Sequence, residues 1–228
     1  MFSSFLRSPK AHSEPQQVNT PRGLVAVVPR CPAEEIAHLG IDDGLGFFWH
    51  NRPELQHQAL VKIAALPDGN VTLAYNEARV IVGYVTVSLP DADTRWGRDR
   101  IAGLYELGGI EVARSWRGCG LSHALLSALF ADGGYDKAVV LATGYRWCWD
   151  YEASGMDVRE YRDVLHRTMQ RAGFEFFDTD EPNIAWYPDN ALVARVGKKV
   201  STGLLKQFKE LLFENLGSDY AMSEFVGR

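Results

Sequence analysis

The chain has 228 residues, of which 46% are hydrophobic, and its formal net charge is −5 at pH 7. This length and composition fit one large domain with an ample core, and the acidic balance argues against a nucleic-acid-binding protein, which needs a basic surface. Three scattered cysteines suit a reducing cytosol. The sequence has no apolar run of the roughly 20 residues that span a bilayer, and residues 1–10 lack a signal-peptide segment. We therefore expect a cytoplasmic protein with no membrane or nucleic-acid partner.

Strand and helix patterns alternate along the chain between two tails. Residues 1–20 are polar and predict a flexible leader, residues 21–200 form the predicted domain, and residues 201–228 predict an amphipathic helix and a tail. Runs rich in β-branched residues predict strands at 24–28, 71–75, 79–89, 104–113, 137–143, 174–178 and 191–196. Apolar residues at helical spacing predict helices at 32–39, 53–66, 120–131 and 157–171.

The order of these elements predicts an α/β fold. Antiparallel hairpins come first, and a β-α-β-α-β-β series follows. We expect a mixed, strongly twisted sheet with helices on both faces. Such a sheet presents ligand sites at the C-terminal ends of its strands, which directs attention to the end of strand 104–113.

A glycine turn joins this strand to the next helix. Gly118 and Gly120 leave several N–H groups uncovered at a helix N-terminus, where hydrogen bonds and the helix dipole attract phosphate. The spacing Arg117-x-x-Gly120-x-Ser122 fits a pyrophosphate cradle. It is not a P-loop, because no Gly-Lys-Ser/Thr follows, and it is not a dinucleotide fingerprint, because His123 stands where the third glycine is needed. On the glycines alone, a tight turn that binds nothing is an equal alternative.

The same stretch resembles the acetyl-CoA-binding motif of the GNAT acetyltransferases, Gln/Arg-x-x-Gly-x-Gly/Ala, with a small departure at Ser122. The resemblance implies the GNAT fold and acetyl-CoA as co-substrate. In that family loop amides hold the pyrophosphate, and the pantetheine arm lies between two strands that splay apart, here strands 104–113 and 137–143. The implied cofactor-binding residues are Ile110, Val112, Arg117, Gly118, Cys119, Gly120, Leu121 and Ser122.

Further segments narrow the resemblance to a bacterial GNAT branch that acetylates a lysine of acetyl-CoA synthetase and so switches it off. The similarity covers roughly residues 45–200 and is carried by residues 58–66, 81–86, 95–96, 106–112, 147–150, 157–161, 180–182 and 194–200. It implies acetyl-CoA synthetase as the protein partner. A GNAT enzyme that acts on a small amine and a non-catalytic module that senses acetyl-CoA are the alternatives.

Acetyl transfer to lysine needs a base, because an amine with a reference pKa near 10.4 is almost entirely protonated at pH 7. Two carboxylates on strand 104–113, Glu111 and Glu106, are candidates. On a regular strand they face opposite sides of the sheet, but one bulge at Gly108-Gly109 brings them to the same side. We favour Glu111, which is nearer the cofactor loop. An ion pair with an arginine such as Arg114 or Arg146 is the alternative for either carboxylate.

Three further features have two interpretations each. Tyr161 matches the family motif and could protonate the leaving thiolate, or it is a core tyrosine. The aromatic segment 145–151 predicts a docking surface or a seal on the cofactor cleft. The basic segment 195–199 could meet an acidic partner or the 3′-phosphate of coenzyme A, or it is a solvated charge run. The histidines and cysteines show no metal-ligand spacing, so we expect no metal; the oligomeric state is not predicted.

Overall fold

The computed structural model describes residues 15–214. Within them, nine strands form one sheet: β1 Gln16–Thr20, β2 Gly23–Val28, β3 Gly40–Ile41, β4 Asn70–Asn76, β5 Val80–Ser88, β6 Leu104–Val112, β7 Val139–Gly144, β8 Glu175–Phe177 and β9 Ala191–Val196. The α-helices of the same range are α1 Ala33–Ala37, α2 Pro53–Ala65, α3 Leu121–Phe130, α4 Tyr151–Ser154, α5 Val158–Arg171, α6 Pro182–Ala185 and α7 Thr202–Leu212.

The strands lie in the order β1-β2-β4-β5-β6-β7-β9-β8, and the short β3 pairs with the start of β5. The neighbours are antiparallel except for β6 with β7 and β3 with β5. The predicted mixed sheet, with its antiparallel hairpins first, is therefore confirmed.

Helices cover both faces of this sheet, as the alternation along β7 demonstrates. Val140 and Ala142 belong to the large core that α3 and α5 help to close. Val139 and Leu141 belong to a second cluster, together with Phe208 and other residues of α7. Since successive side chains of a strand point to opposite faces, the two sets of helices lie on opposite sides of β7.

The parallel strands β6 and β7 separate after a short contact. Leu104–Glu106 pairs with Val139–Leu141, and no further pairing joins the two strands. Beyond this point β6 continues beside β5 to Val112, and β7 continues beside β9 to Gly144. Their C-terminal halves therefore leave a cleft between them, as the family resemblance implied.

One extra residue, Gly108, interrupts the pairing of β6 with β5. Glu106 lies opposite Ser88, and Glu111 lies opposite Tyr84. Because Ser88 and Tyr84 are an even number of residues apart on β5, their side chains share a face, and so do those of the two glutamates. The bulge predicted at Gly108-Gly109 is therefore confirmed.

The predicted leader, residues 1–20, includes a strand at its C-terminal end. Gln16–Thr20 was expected to be flexible, yet it forms β1 against β2. Its polar residues suit an edge strand, which has one free side and is mostly exposed here. The rest of the predicted leader, residues 1–14, lies outside the described residues.

Helix α7 closes the other end of the described chain. The hydroxyl of Ser201 caps its first turn by accepting from the Leu204 N–H (3.2 Å). At the far end, the guanidinium of Arg95 forms an ion pair with Asp180 and donates to the carbonyls of Leu211 and Leu212. The predicted tail from residue 215 onward lies outside the described residues. From residue 15 to residue 214, no helix combines the length and apolar character that crossing a bilayer demands.

Candidate active site

The cleft between β6 and β7 opens beside the glycine turn. Gly118 and Gly120 have φ angles of +77° and +78°, and a Cβ atom at either position would meet nothing within 4 Å. Among residues 15–214, no acceptor takes a hydrogen bond from the N–H groups of residues 118–122, and α3 begins at Leu121 without a side-chain cap. Uncovered amides at a helix N-terminus attract anions, so the turn has the geometry of the expected phosphate cradle.

Arg117 is held in this turn by protein groups. Its Nη2 donates to Asp150 Oδ2 (2.6 Å) and its Nε to the carbonyl of Val112 (3.3 Å). Its Nη1 is buried and has no hydrogen-bond partner within the described chain. Arg114 Nε donates to the same Asp150 oxygen (3.0 Å), and Arg146 pairs with Asp189 (3.5 Å). Both arginines that were alternative partners of the glutamates therefore pair with aspartates. Asp150 ends segment 147–150 of the family resemblance, but no role was predicted for it.

Glu106 lies where β6 and β7 part. It is half-buried, and its Oε1 is 3.5 Å from the hydroxyl of Thr143 on β7. Burial raises the pKa of Glu106, the Thr143 hydrogen bond opposes this, and the charge of Asp91 adds to it. A carboxyl group with a raised pKa in a cleft is suited to accept a proton near neutral pH.

Glu111 is buried and fully engaged. Its Oε2 accepts from the Gly46 N–H (3.2 Å) and the Tyr84 hydroxyl (2.7 Å), and its Oε1 accepts from the Phe47 N–H (3.0 Å). This carboxylate ties the turn before α2 to β5 and β6. Glu111 was preferred as the base from sequence; because three donors already occupy it, we propose Glu106 as the base instead.

Tyr161, on α5, is half-buried, and its ring centroid is 6.2 Å from that of Trp149. Burial raises the pKa of Tyr161, whereas the guanidinium of Arg117 and a hydrogen bond with the backbone of Asp150 lower it. The net direction is upward, so the phenol keeps its proton at neutral pH and can donate it. Its interactions place it beside the loop; whether it acts in catalysis or only packs there stays a prediction.

The other expected cofactor residues differ in what they can offer. Leu121 and Val112 are buried, so their backbones rather than their side chains are available to a ligand. Ile110, Cys119 and Ser122 are half-buried along the end of β6 and the start of α3. The site thus offers mainly backbone donors, which suits a polar phosphate chain.

An open cavity of about 680 Å³ lies beside the loop. Phe47 and Asn51 of the turn before α2 line one side, and Trp147 and Tyr187 line the other. The two aromatic residues are 56% and 51% exposed, with ring centroids 5.6 Å apart. Trp149 is buried. Segment 145–151 therefore combines an exposed aromatic residue, as a docking surface would need, with a buried one, as a seal on the cleft would need. The sequence patterns did not single out Phe47 or Asn51.

The basic segment 195–199 is largely occupied by protein contacts. The Arg195 guanidinium lies 4.2 Å from the centroid of the Phe130 ring, and Lys199 pairs with Asp136 (3.5 Å). Between residues 15 and 214, no group of three or more His, Cys, Asp and Glu side chains is placed to hold a metal ion.

Comparison with known proteins gives a consistent set of relatives. The acetoin utilization protein AcuA of Bacillus subtilis is 43% identical over 161 residues, which cover 71% of this chain and 76% of that protein. AcuA of Bacillus licheniformis is 36% identical over 201 residues, 88% and 94% of the two chains. A crystal structure of an acetoin utilization protein from Exiguobacterium sibiricum superposes with a TM-score of 0.84 at 35% identity, covering 88% of this chain and 94% of that one. No protein-family model matches the chain.

Proposed function

The chain belongs to the family of the acetoin utilization protein AcuA, and we propose that it transfers the acetyl group of acetyl-CoA directly to a lysine of acetyl-CoA synthetase, which inactivates that enzyme. The enzyme class, a GNAT acetyltransferase, follows from this membership together with the loop motif. The lysine acceptor, the synthetase partner and a cytoplasmic setting are the proposed parts.

One observation supports the proposal: N–H donors that have no acceptor among residues 15–214 and the half-buried carboxyl group of Glu106 lie along the same cleft. The amides of residues 118–122 lie at the open end, where β6 and β7 have parted, and Glu106 lies where the two strands begin to part. The residues present fit the diphosphate of acetyl-CoA, because no Cβ obstructs Gly118 or Gly120 and because the buried Nη1 of Arg117 has no acceptor within residues 15–214.

Acetyl-CoA supplies an activated thioester, so no nucleophile from the protein is required. Glu106 takes a proton from the lysine ammonium, and the neutral amine then attacks the thioester carbon. A C–N bond forms and the C–S bond breaks. In this scheme the leaving sulfur takes a proton from Tyr161, and the second proton, which the nitrogen releases as the amide forms, returns to Tyr161 through solvent. Glu111 does not exchange a proton in this scheme. It holds the turn before α2 against the sheet through its three donors.

The shape of the acceptor side favours a protein over a small amine. A small amine needs a closed pocket, whereas this cavity is bordered by Trp147 and Tyr187, both more than half exposed. Aromatic residues beside arginines, such as Arg146 here, are common in protein–protein binding sites. The small-amine alternative lacks a comparable supporting feature.

Mass spectrometry of purified acetyl-CoA synthetase, after incubation with this protein and acetyl-CoA, tests the proposal. We expect one acetyl group on a lysine, together with loss of synthetase activity. A parallel reaction without this protein controls for non-enzymatic acetylation by the thioester. No acetylated peptide above this control would exclude the synthetase as substrate. A protein that binds acetyl-CoA but acetylates neither the synthetase nor small amines would instead be the sensing module.

A further inference from the structure

One carboxylate joins two segments at the mouth of the cleft. Asp150, which is 7% exposed, comes after β7. Its Oδ2 accepts from Arg117 Nη2 (2.6 Å) and Arg114 Nε (3.0 Å), and its Oδ1 accepts from Arg114 Nη2 (3.3 Å). Both arginines come after β6. Asp150 therefore bridges the two strands at the end where their own pairing has stopped.

Arg114 also lines the cavity of about 680 Å³ described above, which we call the acceptor cavity. Arg114 Nη2 also donates to Asn51 Oδ1 (2.7 Å). Asn51 and His50 have φ angles of +59° and +55°, in the left-handed region that non-glycine residues adopt uncommonly, Asn and His more often than most. The turn they form also presents Phe47 to the cavity. The cavity wall thus depends on Arg114, and Arg114 depends on Asp150.

A further connection involves the candidate acid. The backbone of Asp150 is one of the groups that lower the pKa of the Tyr161 hydroxyl, against the larger effect of burial. The side chain of Asp150 has both oxygens engaged with guanidinium groups and is largely shielded from solvent. Asp150 therefore does not face the reacting atoms as a free acid or base; its carboxylate contacts Arg114 and Arg117 instead.

We propose that Asp150 is a positioning residue for both substrates: one carboxylate sets Arg117 for the cofactor loop and Arg114 for the acceptor wall. Two guanidinium groups repel each other unless an anion lies between them, and Asp150 allows both to stay at the mouth of the cleft. Together, Arg114, Arg117 and Asp150 carry one excess positive charge. The inference rests on the proposed function, because it assumes that the loop binds the diphosphate of coenzyme A.

Positioning and simple charge effects predict opposite results when the Asp150 charge is removed. If Asp150 acted only as a negative charge near an anion site, Asp150→Asn would tighten the binding of coenzyme A. If it positions Arg117, the same change lets that side chain and the loop leave their arrangement, and binding weakens. Loss of a charge-assisted hydrogen bond predicts a dissociation constant at least about tenfold higher.

Calorimetry with free coenzyme A on the full chain makes this test, with Asp150→Asn, Arg117→Lys and the double variant. We expect each single variant to bind at least about tenfold more weakly and the double variant to lose much less than the sum, because both changes break one interaction. The KM for the acceptor should rise in Asp150→Asn but not in Arg117→Lys, which leaves Arg114 paired. Asp132→Asn is the matched control, since it removes an aspartate paired with Arg30 (3.1 Å) beyond the other end of α3.

The outcomes separate the two levels of inference. If the wild type binds coenzyme A while Asp150→Asn binds it equally or more tightly, or if the two losses add, the positioning role is wrong and the proposed function stands. If the wild type itself does not bind coenzyme A, the proposed function fails and the positioning role fails with it. If Asp150→Asn does not fold, Arg117→Lys decides alone, because lysine keeps the charge but cannot span Asp150 and the Val112 carbonyl; unchanged binding in that variant overturns the role.

Discussion

Replacing Glu106 by glutamine is the most direct test of the proposed chemistry. The substitution keeps the shape and removes the proton acceptor. Loss of a general base lowers kcat by about 10²- to 10⁴-fold, which corresponds to about 3–5 kcal/mol in the barrier. Acetyl-CoA binding should be unaffected, because the donors of the phosphate cradle are backbone groups of residues 118–122.

The loss should depend on pH in a specific way. Without the base, the variant uses only the lysine that is already neutral in solution, roughly one molecule in a few thousand at pH 7. Its rate should therefore rise about tenfold for each pH unit up to the lysine pKa. The wild-type rate should rise as Glu106 loses its proton, through its raised pKa, and then level off. The ratio of the two rates must shrink toward alkaline pH.

The same variant should not be less stable at neutral pH. Burial raises the pKa of Glu106 above its ordinary value of 4.5, so in the interval between these two values the folded state keeps a proton that the unfolded state has released. The free energy of unfolding then falls as pH rises across that interval. Glu106→Gln removes this loss, so its Tm relative to wild type should increase from pH 4.5 to pH 7. Steady-state kinetics and calorimetry at several pH values measure both effects, and a rate ratio independent of pH would refute the role as base.

Three further substitutions extend the test. Glu111→Gln turns an amide N–H toward donor groups such as the Tyr84 hydroxyl, so we expect the free energy of unfolding to fall by about 1–3 kcal/mol. The rate should fall by a factor that does not vary with pH; a pH-dependent factor would restore Glu111 as the base. Gly120→Ala forces an L side chain to a φ of +78° and places a Cβ in the cradle, so coenzyme A should bind more weakly by calorimetry. The control Gly155→Ala has a similar φ of +73° and equally open space, and this variant should bind coenzyme A normally. Equal effects would mean that backbone strain alone is responsible. Tyr161→Phe should lower kcat by at least about tenfold without changing affinity for coenzyme A, and an unchanged kcat would leave this tyrosine as a packing residue.

Much of the fold could be predicted because the signals were local. The strand at 191–196 and the helix at 53–65 were placed to within a residue, since their apolar spacing and bounding prolines or glycines are properties of the segment itself. The phosphate turn belongs to the same class, because Gly118 and Gly120 determine its backbone directly. Edge strand β1 was missed because a polar edge strand looks like a polar tail until a partner strand is known.

The site was harder to predict wherever a residue's role depends on distant parts of the chain. The sequence placed Glu106 and Glu111 on one face through a bulge, but the contact that distinguishes them comes from the Gly46 N–H, 65 residues from Glu111. No periodicity marks a turn that will cover one carboxylate and leave the other at the opening of a cleft. The contacts of Asp150 could not be predicted for the same reason, since its two arginine partners lie 33 and 36 residues away in the sequence. Local patterns therefore predict where the backbone can bind an anion. The separate roles of Glu106, Glu111 and Asp150 depend on tertiary contacts, which form only when the turn before α2 and the segment after β7 pack against the end of β6.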